Sequence, residues 1–347
     1  MTYAVLLAGG WGERFWPKSR RRNPKQFLSI GSNESLIEAS IRRISKCIPR
    51  KNLRIVTVKE QEKSFLKICP FLKKSQLFLE PFGRNTAAAV ALAAFEIAKQ
   101  DPDAVLLVFP CDQWIDKEKE FIKTLKQAEE TARTFNGVVT VGVRPSYPAT
   151  GYGYLCHSGK RETFGKGKGY RVTHFVEKPE LPKARRLLKK GSVLWSIGIF
   201  AFRIPILMEA LREHLPQLYR GFLRRETLQG IYRKIRPVSF DYGILERLDK
   251  IAVVTGDFIW SDLGSWRSLE TVRAASEGNL LLGDAYIEEG KGNIFVSEKG
   301  HLLAGLGVSN LVVVHTSDVT LVCPKERAEE VKKLVHSVGR RFGRGHL

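Results

Sequence analysis

The sequence predicts an α/β fold, with a mostly parallel sheet covered by helices and a small β-rich unit after it. Three observations predict this. Short, wholly apolar runs alternate with helix-patterned segments through the first half. The runs at residues 4–8 and 104–109 are followed by glycine or proline, as buried parallel strands often are. From about Gly283 the helical patterns give way to short strands separated by turn residues.

The elements follow in order. Residues 4–8 form a first buried strand that runs into glycines. Ser35 caps a helix with an acid at its third position and basic residues in its last turn. Residues 53–58 give a second strand. Asn85-Thr86 opens an Ala-rich helix to about Lys99. Residues 104–109 are a third strand, 118–133 a helix and 137–143 a fourth strand. Gly151-Tyr152-Gly153-Tyr154 leads into a Gly/Lys-rich hairpin reaching Gly169, and a strand then runs through Val176. A basic helix covers 183–190, a strand 198–202 and a helix 204–214. Short strands at 293–297, 302–304, 311–315 and 319–322 precede an amphipathic helix at 326–336. The Gly/Arg-rich stretch 339–347 reads as loose.

With 57 Lys and Arg against 36 Asp and Glu, the chain carries a formal charge of +21. Such a field favours anionic partners. The basic residues are spread along the chain, whereas a nucleic-acid binder concentrates them on one face or arm. The five cysteines have no metal-ligand spacing with the seven histidines and read as reduced thiols of a cytoplasmic protein. The first residues read as a strand and not as a signal peptide. No apolar stretch reaches the roughly 20 residues needed to cross a bilayer, so no membrane partner is expected.

The chemistry concentrates between Leu6 and Phe27. A strand ending in Gly9, Gly10 and Gly12 can bring backbone N–H groups close to a phosphate. It is neither a P-loop nor a dinucleotide fingerprint, because no Gly-Lys-Ser/Thr follows and Phe15 stands where a third glycine belongs. Taken alone, the glycines fit an ordinary strand-to-helix turn as well. Arg14 can fork two phosphate oxygens and Lys25 can act as a point charge, the neutralisation that phosphoryl and nucleotidyl transfer need. Asp112 lies just past a buried strand, at the sheet edge where such folds build sites. Asp262 sits in Trp260-Ser261-Asp262-Leu263-Gly264. Two carboxylates can hold Mg²⁺ against phosphates; each also fits a cap or turn residue. Trp260 and Trp266 read as packing groups.

Leu6-Leu7-Ala8-Gly9-Gly10-x-Gly12-x-Arg14-x-x-Pro17, then Pro24-Lys25-Gln26, resembles the sugar nucleotidyltransferase family. Glu80-Pro81 with Asn85-Thr86-Ala87, Phe109-Pro110-Cys111-Asp112, Thr150 to Tyr154, Glu177-Lys178-Pro179, Asp241-Tyr242 with Glu246, and Trp260 to Gly264 are similar to its mannose-1-phosphate guanylyltransferase branch. The resemblance implies a Rossmann-like catalytic domain over residues 1–280. It implies a short left-handed β-helix-like domain over 281–347, of a kind that often helps form homodimers. Longer members carry an isomerase domain, which this chain is expected to lack. The implied reaction makes GDP-mannose and pyrophosphate from GTP and mannose 1-phosphate, with Mg²⁺. Arg14 and Lys25 are the implied catalytic cations, with Asp112 and Asp262 the metal ligands. Leu7, Ala8, Gly9, Gly10, Gly12, Glu80, Asn85 and Thr86 would contact the nucleotide. Gly151, Glu177, Lys178 and Ser196 would contact the sugar phosphate. Two positions depart from the family pattern. Trp11 replaces a small loop residue, and Ser196-Ile197-Gly198 replaces Asn-Ser-Gly. Other NTPs or hexose phosphates fit the same chemistry. The charge alone would also suit a nucleic-acid binder on a degenerate transferase fold.

Overall fold

A computed structural model describes residues 1–30, 33–272, 278–343 and 345–347 of the chain. It forms two compact units. The first comprises Met1–Gly9, Ile41–Cys111 and Ile115–Trp260; the second comprises Gly10–Ser40, Asp112–Trp114 and Ser261–Leu347. Each has its own apolar core.

The first unit is built on a nine-stranded sheet. Its strands are β1 (Thr2–Leu7), β2 (Leu53–Val58), β3 (Leu77–Glu80) and β4 (Val105–Pro110). After the two-residue β5 (Trp114–Ile115) come β6 (Val138–Val143), β7 (Gly153–Phe164), β8 (Gly167–Val176), β9 (Val193–Arg203) and β10 (Ile251–Gly256). The spatial order is β3-β2-β1-β4-β9-β6-β10-β8-β7. Parallel pairs join β1 to β2 and β4, β2 to β3, and β6 to β10. Only β8 and β9 run against the common direction, so the sheet is mixed and mostly parallel.

Helix α1 (Leu36–Ile44) has residues in both units, and α2 (Glu62–Ile68) follows in the first. Helix α3 (Asn85–Ala98) is apolar nearly all round, and Ala87 to Ala94 are all buried. A helix of that composition belongs inside a fold. In contrast, α4 (Glu118–Thr134) is amphipathic. It buries Phe121, Leu125, Ala128 and Ala132 at helical spacing and exposes charges elsewhere. The helices α5 (Leu181–Lys189), α6 (Ile204–His214), α7 (Pro216–Leu223), α8 (Leu228–Lys234) and α9 (Phe240–Gly243) complete this unit.

The short β11 (Trp260–Ser261) has one residue in each unit; in the second unit the chain then passes α10 (Leu269–Val272) and coils. Strands β12 (Leu280–Leu282), β14 (Ile294–Val296) and β16 (Leu311–His315) stack in parallel in one sheet. The intervening β13 (Ala285–Glu288) and β15 (Leu303–Leu306) stack in parallel in another. This alternation is β-helix-like. An antiparallel β17 (Thr320–Pro324) closes it before α11 (Val331–Phe342). Inside, the buried Asn293 bonds Asn279, the Val308 carbonyl and the Leu311 N–H, so its amide is satisfied.

Three boundaries differ most from the sequence reading. The strand expected at 198–202 begins at Val193, and the helix expected at 326–336 opens with 3-10 turns over Lys325–Glu330. The last helix continues to Phe342, into the stretch read as loose. Beyond it the His346 carbonyl accepts bonds from the Trp16 indole at 2.7 Å and the Arg20 guanidinium at 2.6 Å. Those tertiary bonds, absent from any local pattern, fix the tail; Arg344 lies outside the described residues.

Candidate functional site

The glycine loop leaves the end of β1. In the second unit its Gly12 has φ 67°, a left-handed conformation that suits glycine. A Cβ there would also overlap the Lys25 side chain. Two independent constraints therefore select glycine. The Gly12 carbonyl accepts the Phe15 N–H at 2.9 Å and the Ser19 hydroxyl at 2.6 Å.

Lys25 is 5% exposed, which is unusual for a lysine. Its ammonium donates to Asp112 Oδ2 at 2.8 Å and to the Asp262 backbone carbonyl at 2.6 Å. The ring of Phe15 lies 5.7 Å away. Lys25, Asp112 and Asp262 thus converge within one unit. Asp262 Oδ1 accepts the Gly264 N–H at 3.0 Å, and Leu263 takes a left-handed φ of 47°. Arg14 stands apart. It is exposed and makes no hydrogen bond or ion pair among the described residues. One cation is fixed by the protein, and the other is free to meet an anion.

The carboxylates of Asp112 and Asp262 are hard oxygen donors. Among the described residues no group of three or more His, Cys, Asp or Glu could hold a metal. That donor set fits Mg²⁺, which takes one or two carboxylates and completes its shell with phosphate oxygens and water.

The remaining predicted residues lie in the first unit, apart from Gly10. Leu7 and Ala8 have backbone groups engaged by the sheet: Cys111 N donates to Leu7 O at 3.3 Å and Ala8 N to Val56 O at 2.8 Å. Glu80, at the end of β3, is 3% exposed, and its Oε1 has no hydrogen-bond partner among the described residues. Burial raises its pKa to about 7, an effect that the nearby Tyr232 hydroxyl partly offsets. A Cβ on Gly9 would stand 3.2 Å from Glu80 Oε2, so the loop passes close over this carboxyl. Asn85 holds a left-handed φ of 65°. The Thr86 hydroxyl accepts the Phe240 N–H at 2.8 Å, so it orients α9.

Glu177 and Lys178 form an ion pair just after β8, and Lys178 has φ 43°. Of the six non-glycine residues with positive φ among the described residues, Asn85, Lys178 and Leu263 fall in the motifs singled out by sequence, and Arg225, Glu289 and Asn310 do not. Such strain gathers at functional sites. Ser196 pairs in register with Gly153 on the neighbouring strand, two residues past Gly151. It is buried, and the Gly198 N–H points at its hydroxyl from 3.5 Å. Gly151 is exposed, with open space where a side chain would be.

Sequence reasoning left Asp241 without a role. Burial, then the charges of Glu177 and Glu246, push its pKa up to about 6, while Lys178 pulls it down. Its place in the Asp241-Tyr242 motif was visible. Its proximity to Glu177 comes from tertiary structure alone. The Trp260 and Trp266 rings pack as expected. Trp260 meets Tyr152 edge-on at 4.9 Å, and Trp266 lies against Phe15 at 4.9 Å.

The family model described as Nucleotidyl transferase matches residues 3–278, and the MannoseP isomerase/GMP-like beta-helix domain matches 289–338. The Salmonella muenchen mannose-1-phosphate guanylyltransferase is 35% identical over 95% of this chain and 72% of its own. The Escherichia coli protein of the same name is 34% identical over 96% and 73%. A Thermus thermophilus crystal structure, described as a mannose-1-phosphate geranyltransferase, superposes with a TM-score of 0.89 at 36% identity, covering 97% of this chain and 99% of that one. A fixed lysine beneath a glycine loop, a free arginine and two carboxylates thus occur in a chain that belongs to the nucleotidyl transferase family, in its mannose-1-phosphate guanylyltransferase branch.

Proposed function

We propose that the chain transfers GMP from GTP to mannose 1-phosphate, giving GDP-mannose and pyrophosphate. The observation that carries this reading is the buried Lys25 ammonium, held by Asp112 and the Asp262 carbonyl beside Gly12. A phosphate oxygen of the sugar phosphate attacks the α-phosphorus. The new P–O bond forms as the bond to the bridging oxygen breaks, and pyrophosphate leaves with the electron pair. The nucleophile is already ionised near neutral pH, so no general base is needed. Lys25 and Arg14 neutralise the charge that develops on the α-phosphate and the leaving group.

Asp112 and Asp262 are the proposed Mg²⁺ ligands. When bound, the ion would supply Lewis-acid charge neutralisation at the phosphates. Lys178 meets the sugar phosphate, Glu177 a sugar hydroxyl, and Gly151 and Ser196 the sugar itself. Leu7, Ala8, Gly9, Gly10, Gly12, Glu80, Asn85 and Thr86 line the nucleotide. Catalysis is assigned to residues 1–280, and dimer contacts to 281–347. The exposed face of β13 and β15, where Tyr286 sits opposite Ala304 and Leu306 opposite Glu288, supports a homodimer. The proposed compartment is the cytoplasm, which five free cysteines suit.

The test is a panel of four NTPs against several hexose 1-phosphates with Mg²⁺, read as pyrophosphate release. GTP with mannose 1-phosphate should give the highest kcat/KM. A different preferred pair revises the substrates, and no release from any pair overturns the reading.

A further inference from the structure

On the β10-β8-β7 side of the sheet lies a cleft of about 740 Å³. Its size is that of a small-molecule site. Three long cations line it: Arg144 just after β6, Arg161 on β7 and Lys168 on β8. None of the three makes an ion pair or side-chain hydrogen bond among the described residues. Elsewhere in this unit Arg133, Arg171 and Lys234 pair with acids. Asp257 is the acid among the lining residues.

The cleft also has an aromatic wall. His157 and Tyr170 line it, their ring centroids 4.4 Å apart and their planes tilted by 36°. Desolvation lowers the His157 pKa, so near neutral pH the ring is an uncharged surface. This wall depends on an irregular ladder. The β7–β8 register jumps from His157↔Val172 to Arg161↔Tyr170, leaving three residues of β7 unpaired. Bulges of this kind re-aim side chains. Gly169 also lines the cleft and lets β8 lie close on β10, because a Cβ there would come 2.5 Å from the Val253 carbonyl oxygen.

We propose that this cleft is a second nucleotide site, taking a nucleoside diphosphate with its phosphates on Arg144, Arg161 and Lys168 and its base against the His157–Tyr170 wall. Three unpaired cations match a diphosphate, and guanidinium groups fork phosphate oxygens. A flat ring beside them selects a nucleotide over inorganic phosphate. Enclosure in one cleft, not a stripe, argues against a nucleic-acid strand. None of these residues belongs to the proposed catalytic machinery.

The test counts GDP bound at equilibrium to the full chain, using wild type, the triple variant Arg144→Ala/Arg161→Ala/Lys168→Ala, and Arg14→Ala. Wild type should bind two equivalents. The triple variant should lose one, or weaken it at least about tenfold, while keeping wild-type Tm and basal turnover. Arg14→Ala should retain the cleft equivalent, and inorganic pyrophosphate should compete there more weakly than GDP. A single wild-type equivalent that survives the triple substitution, or two undiminished in the triple variant, overturns the proposal. So does an RNA oligonucleotide displacing GDP from the cleft at physiological salt. An inactive enzyme that still binds cleft GDP would leave this site standing while the catalytic reading fell.

Discussion

Lys25 and Arg14 carry the same charge in opposite settings, and their variants should differ accordingly. Lys25→Ala removes a buried ammonium and leaves Asp112 and the Asp262 carbonyl without their donor. It should lower kcat by about 10²–10³-fold and also lower Tm. Arg14→Ala removes an exposed side chain without partners among the described residues, so activity should fall with Tm unchanged. Steady-state kinetics beside thermal melts check both, and equal Tm losses would contradict the assignment. Glu80 gives a pH signature. Its folded pKa of about 7 lies above the ordinary carboxyl value, so its protonated form favours folding. That contribution is full below about pH 4.5 and is lost as pH rises through about 7. Glu80→Gln should therefore be more stable than wild type near pH 8, by on the order of 2 kcal/mol, and equal to it near pH 4. Melting curves across that range would expose a pH-independent difference, which would rule out burial as the cause.

At the scale of elements, the loop after β1 is where backbone and side chain agree most closely. Gly12→Ala must take a left-handed φ and displace Lys25. It should cost about 1–3 kcal/mol and weaken GTP binding, both readable by denaturation and titration; a neutral result would show that the loop is not held as described. Much of this was legible in sequence. The runs that became β1, β2, β4 and β6 are buried on both faces and have no polar alternation to mislead. Helix α6 matched end to end because a proline near its start marks the boundary. What was missed is placed by distant contacts. Strand β10 is a short apolar run like the others, but it pairs with β6 across more than a hundred residues and does not follow a helix in the βαβ order. The tail is fixed by Trp16 and Arg20, and Asp241 comes near the like charge of Glu177, relations that no local pattern encodes. At the site, residue types were visible, whereas the difference between a fixed Lys25 and a free Arg14 was not.

On the scale of the whole molecule, a net charge of +21 acts on every anionic ligand. Association with GTP should therefore slow as salt rises. The exposed β13–β15 face is the proposed dimer contact. Leu306→Glu should shift a dimer toward monomer in sedimentation equilibrium, and an unchanged mass would place any dimer contact elsewhere. The central claim is nucleotidyl transfer at Lys25 and Arg14, and it is tested most directly by pyrophosphate release from GTP and mannose 1-phosphate with Mg²⁺. Wild type should release one pyrophosphate per GDP-mannose formed, and Arg14→Ala and Lys25→Ala should each lose most of that turnover. Release that persists undiminished in both variants, or that never occurs with any NTP and sugar phosphate, would contradict the account.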